Sequence, residues 1–126
     1  MSNRYYAVCG ILEIDSKILF FFFFYGKAKN RILIPGGYVK EGELATHAIS
    51  REIFEETGVT AETVSVFAIQ FKGDQWCVVF NMKYVSGDPH SDGYENSEVL
   101  LLTPEEAVKR PDITNMSRAI LNAYIS

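Results

Sequence analysis

Apolar residues fall into short blocks separated by Gly, Pro, Asp and Asn, and the blocks change period along the chain. Tyr5 to Ile14 predicts a strand, closed by the turn residues Asp15-Ser16-Lys17. Ile18 to Tyr25 (ILFFFFFY) is apolar at consecutive positions. Such a strand needs cover on both faces, as in the middle of a sheet between helix layers, and that need accounts for its phenylalanines. Gly26 to Asn30 predicts a polar loop, and Arg31 to Ile34 a short strand stopped by Pro35-Gly36-Gly37. From about Glu43 to Thr57 the apolar positions recur at helical spacing, with Gly58 placed to cap the C-terminus. Val64 to Phe71 and Trp76 to Ser86 flank the turn Lys72-Gly73-Asp74-Gln75 and predict an antiparallel pair. A polar loop, Gly87 to Ser97, leads to a last strand at Val99 to Leu102. Thr103-Pro104-Glu105-Glu106 reads as a helix start, and a final helix spans roughly Asn115 to Tyr124. The order β-β-β-α-β-β-β-α predicts an α+β fold, a mixed β-sheet flanked by helices.

With 126 residues, 48% of them hydrophobic, the chain suits one domain over 1–126 whose core needs no disulfide or structural metal. The longest near-apolar run has eight residues, against the ~20 that span a bilayer, and the start MSNRYYAV lacks the apolar region of a secretory signal. Cys9 and Cys77 lie far apart in apolar runs without C-x-x-C spacing, which predicts buried, reduced thiols and a cytoplasmic setting. A net charge of −4 argues against duplex nucleic acid as a partner. Most of that acidity belongs to one segment: residues 37–59 carry a balance of −3 and the remaining chain −1.

Within that segment the helix carries a conflict. Ala45, Ala48, Ile49 and Ile53 gather on the side that faces the sheet, and Glu52, Glu55 and Glu56 continue that stripe. At i,i+3 and i,i+4 spacing these carboxylates repel by roughly 0.2–0.5 kcal/mol per pair. Near the negative end of the helix dipole each costs a further ~0.3–1 kcal/mol. A hard divalent cation would relieve every one of these penalties. The alternative is a solvated acidic face, with Arg51 and Glu55 forming an i,i+4 pair.

The neighbouring residues favour the cation. Residues 36–59 read GGYVKEGELATHAISREIFEETGV. This resembles the Nudix hydrolase signature, G-x5-E-x7-R-E-U-x-E-E-x-G-U with U a bulky aliphatic residue. Gly37, Glu43, Arg51, Glu52, Ile53, Glu55, Glu56, Gly58 and Val59 meet every fixed position. The resemblance implies an α/β/α sandwich whose loop-helix-loop at 37–59 binds Mg²⁺ or Mn²⁺ and hydrolyses a pyrophosphate linked to a nucleoside. By resemblance the metal ligands are Glu52, Glu55 and Glu56 with the carbonyl of Gly37, while Glu43 and Arg51 form an ion pair holding loop to helix. The catalytic set then comprises Arg51 and a base that deprotonates water. The stretch HSDGYENSEVLLLTPEEA resembles the family's E-V-x-W-x-x-x-E-E-L region, with Leu101 in place of tryptophan. That alignment offers Glu95 or Glu98 as the base, with a helix glutamate such as Glu55 acting through water as the third option.

Substrate contacts are assigned to Arg31, entering the glycine loop, to Trp76, whose ring can stack on a base, and, by resemblance to MutT-type relatives with a base-recognising asparagine there, to Asn115, opening the last helix. Each has a structural alternative: a surface charge, a helix cap, and core packing, the last preferred also for Tyr5, Tyr6 and Phe71. His47 is expected to point away from the carboxylates, and His90 lies in the acidic loop. The expected partner is a small nucleotide, a triphosphate ahead of a nucleotide sugar, with no membrane partner. Family habit allows a homodimer, although no exposed stripe is evident in the sequence. The competing function is a non-catalytic nucleotide-binding sensor of the same fold.

Overall fold

The long apolar run at the chain start becomes β1 (Ser2–Ile14), which organises the molecule. In the computed structural model, which describes residues 2–24, 28–90 and 97–126, β1 turns through Asp15 and Ser16 into β2 (Lys17–Phe23). It also pairs antiparallel with β4 (Gly36–Lys40) and parallel with β6 (Gln75–Ser86). β2 carries β3 (Ile32–Leu33) and β7 (Ser97–Leu102), both antiparallel, and β5 (Thr60–Lys72) closes the far edge against β6. Seven strands thus form one mixed sheet among the described residues.

Alternation within the strands divides the core into two layers. Val8, Leu12, Leu19 and Phe80 meet Ala48, Ile49 and Ile53 of α1 (Ala45–Thr57) on one face. Cys9, Ile11, Phe20 and Val79 meet Ala107 of α2 (Pro104–Val108) and Ile120 and Leu121 of α3 (Asn115–Ile125) on the other. β2 is buried on both faces at Ile18 to Phe21, as its unbroken apolar run requires. The result is an α+β sandwich with helices on both sides of the sheet.

The structure corrects the expected order at Pro35-Gly36-Gly37. The short strand β3 does end at Leu33, before Pro35, but a further strand follows at once: Gly36 and Gly37 begin β4, opposite Cys9 and Val8. A side chain at Gly36 would collide with the Val8 carbonyl, so glycine here permits close strand approach, the opposite of a break. The helix starts at Ala45, two residues later than its pattern suggests, because Glu43 folds back to accept the Lys40 amide at 3.0 Å. β5 begins four residues earlier than expected and carries three register shifts.

Core packing is also corrected for three aromatics. Tyr6 (53% exposed), Trp76 (48%) and Phe71 (56%) lie on the α1 side of the sheet, in the part that the 13-residue helix does not cover. Tyr6 and Trp76 are register partners, and the Trp76 and Phe71 ring centroids are 4.6 Å apart. With Val66 and Ile69 they form an exposed apolar stripe that the sequence did not suggest.

Candidate active site

Arg51 lies at the centre of the acidic segment. Its Nε donates to Glu43 Oε2 at 2.7 Å and its Nη2 to Glu43 Oε1 at 3.0 Å, a two-pronged pairing that ties the loop before α1 to the helix. Nη1 donates to Glu52 Oε1 at 2.9 Å and Glu55 Oε1 at 2.6 Å, and Nη2 reaches the Tyr38 carbonyl of β4 at 3.3 Å. One guanidinium therefore spans loop, strand and helix. It holds the Glu43 carboxyl down to about 2, while its own proton is held more tightly than usual by Glu43 first, then by Glu55 and Glu52. Burial raises the Glu52 carboxyl, against the opposing pull of Arg51.

The three helix glutamates differ in exposure. Glu52 is partly buried, Glu56 has one buried carboxylate oxygen, and Glu55 is half exposed. No basic residue occupies the last turn of α1, so the dipole there is uncompensated within the helix. The helix ends on Gly58 (φ 76°), whose amide donates to the Phe54 carbonyl at 2.8 Å. His90 packs on Gly58, and its amide donates to Thr57. His47 is exposed, with its Nε2 3.5 Å from Oε2 of the loop residue Glu43.

A hard divalent cation fits this donor set. Glu52, Glu55 and Glu56 would offer it carboxylate oxygens, and the backbone of Gly37 lies against Glu52 so closely that an added Cβ would meet both its oxygens at 2.6 Å. Among the described residues no three acidic, His or Cys side chains are gathered into a metal cluster; Glu52 and Glu55 instead share Arg51 Nη1.

Gly37 also lines a cavity of about 320 Å³ on the opposite side of the sheet, with Cys9, Ile34, Cys77, Met116 and Ser117. The residues singled out for substrate contact lie elsewhere. Arg31 is exposed and donates to the Ile113 carbonyl at 3.4 Å, bracing the segment before α3. Asn115 is exposed and does not cap α3; Thr114 does, accepting the Ser117 amide at 3.2 Å. Trp76 lines a separate cavity with Tyr6, Val78, Lys40 and Glu43. Glu98 does not precede the last strand but sits within it, exposed and opposite Phe22. Glu95 lies outside the described residues. Sequence reasoning missed Thr114, Met116 and Ser117 as cavity residues, and it missed the adjacency of Cys9 and Cys77.

Comparison with known proteins bears on family and fold. The NUDIX domain family model matches residues 6–124. A protein of Methanocaldococcus jannaschii named ADP-ribose pyrophosphatase is 38% identical over 69 residues, 55% of this chain. The match spans only 41% of that relative's length. Among solved structures, a NUDIX hydrolase from Nitrosomonas europaea superposes with a TM-score of 0.85, covering 99% of this chain and 72% of that one at 23% identity. A MutT NUDIX hydrolase from Burkholderia pseudomallei gives 0.78, covering 94% and 95% at 20% identity. Likeness at these identities concerns the fold; the family match, over nearly the whole length and across the segment that Arg51 knits together, shows that the chain belongs to the NUDIX family.

Proposed function

We propose that this chain is a divalent-metal-dependent pyrophosphohydrolase acting on a nucleoside diphosphate joined to another group. The observation that carries the reading is the close packing of the Gly37 backbone on the Glu52 carboxylate, which brings β4 against the acidic face of α1. Mg²⁺ or Mn²⁺ held by Glu52, Glu55 and Glu56 would neutralise the pyrophosphate and the charge that develops on its oxygens. Arg51, anchored by Glu43, keeps loop and helix in fixed relation and positions Glu52 and Glu55. The attacking water loses its proton to Glu95, to Glu98, or to a helix glutamate such as Glu55. The exposure of Glu98 leaves it free to meet water. Two unbridged thiols support a reducing, cytoplasmic setting.

The ADP-ribose pyrophosphatase relative puts nucleoside diphosphate sugars beside triphosphates as candidate substrates. The test is a panel of dNTPs, ADP-ribose and other nucleotide sugars with Mg²⁺ or Mn²⁺, reading kcat/KM for each. Metal-dependent release of a nucleoside monophosphate supports the proposal. Tight nucleotide binding without release would replace it with the sensor.

A further inference from the structure

Cys9 of β1 and Cys77 of β6 are distant in sequence but adjacent in space. The two strands run parallel with Ala7 opposite Cys77 and Cys9 opposite Val79, so both thiols emerge on the α3 side of the sheet. Their sulfurs are 3.5 Å apart, within hydrogen-bond reach. Both residues are buried (6% and 4% exposed), yet both line the 320 Å³ cavity that extends to Gly37. A solute small enough to enter that cavity reaches two thiols together.

We propose that Cys9 and Cys77 form an oxidation site, in which a hydroperoxide converts the pair to a disulfide joining β1 to β6. The Cys77 sulfur attacks one peroxide oxygen, the O–O bond breaks, and Cys77 becomes a sulfenic acid as the other oxygen leaves as water or an alcohol. The Cys9 sulfur then attacks the Cys77 sulfur, the S–O bond breaks, and a second water departs with the Cys9 proton. Each sulfur loses one electron, and the peroxide oxygens gain two. The order of attack follows the local chemistry. Either sulfur can donate in this contact; with Cys9 as donor the bond favours the Cys77 thiolate and, together with burial, holds the Cys9 proton in place. Closing the sulfurs from 3.5 Å to the ~2.05 Å of a disulfide needs side-chain rotation and a small strand adjustment. It would tighten the cavity floor at the Gly36–Cys9 pairing of β1 with β4.

The test treats the intact, reduced protein with a slight excess of hydrogen peroxide, followed by denaturing alkylation and mass spectrometry. The expected result is loss of two hydrogens, both thiols protected from alkylation, a linked Cys9–Cys77 peptide pair, and full reversal by dithiothreitol. C9S should instead accumulate sulfenic or sulfinic acid at Cys77, and C77S should react more slowly at Cys9. Two alkylatable thiols after treatment, or sulfinic acids without a linked peptide in the unmodified protein, would overturn the proposal. This readout is independent of hydrolysis, so it stands apart from the proposed enzymatic activity.

Discussion

Gly37 and Glu52 are fitted to each other so closely that one methyl group on the glycine would meet both carboxylate oxygens at 2.6 Å. The contact joins β4 to α1, and only a residue without a side chain permits it. Gly37→Ala must therefore push Glu52 aside. Mg²⁺-dependent turnover should fall on the order of 10–100-fold, as when the surroundings of a metal ligand are disturbed, while the far-ultraviolet dichroism stays unchanged. Turnover close to that of the parent protein would remove Glu52 from the metal site.

Removing the charge of either partly buried helix acid tests the donor set itself. Glu52→Gln and Glu56→Gln keep shape and lose charge, so each should lower kcat by ~10²–10³-fold, the scale of losing one preorganised electrostatic group. Thermal unfolding should move little. A large drop in Tm with normal activity per folded molecule would make these residues structural.

The Glu43–Arg51 pair sets a pH dependence with a definite sign. Glu43 titrates at about 2 in the folded chain against an ordinary value of 4.5. As pH falls, the unfolded chain takes up this proton first, so the pair's contribution is complete above about 4.5 and is lost as pH drops towards about 2. Glu43→Gln should cost about 1–3 kcal/mol near neutral pH, the range for a hydrogen bond to a charged group. Its Tm should fall less steeply than the parent's between pH 4.5 and 2. Parallel melting curves would mean that the pairing contributes nothing to stability.

Gly58 is a second glycine without a substitute. Its φ of 76° is left-handed, and an added Cβ would meet the His90 ring at 2.6 Å. Gly58→Ala should destabilise the chain by about 1–3 kcal/mol, readable as a lower urea midpoint with an unchanged slope. An unchanged midpoint would show that His90 and the helix end relax freely.

Several of these features were legible before the structure because their causes are local. The amphipathic run from Ala45 to Thr57, the αL cap at Gly58 and the doubly covered β2 follow from period and turn chemistry alone. β4 was hidden because Pro35-Gly36-Gly37 has the composition of a turn, while its glycines serve close packing on Val8 and Cys9. The exposure of Trp76, Phe71 and Tyr6 depends on how far α1 reaches over the sheet, which no residue among them encodes. Asn115 and Thr114 are both capping types, and only the backbone decides that Thr114 caps. The Cys9–Cys77 contact requires knowing that β1 and β6 run parallel, a pairing between segments 68 residues apart.

The reach of Arg51 across Glu43, Glu52 and Glu55 has a consequence for how the protein is made. Zinc fingers remain unfolded until their metal arrives. Here the Arg51 guanidinium already tempers the acidic turn, so loop, strand and helix are held together by the chain's own side chains. On the proposed metal dependence, a cell depleted of magnesium or manganese would hold a folded but idle reserve, ready once the ion returns.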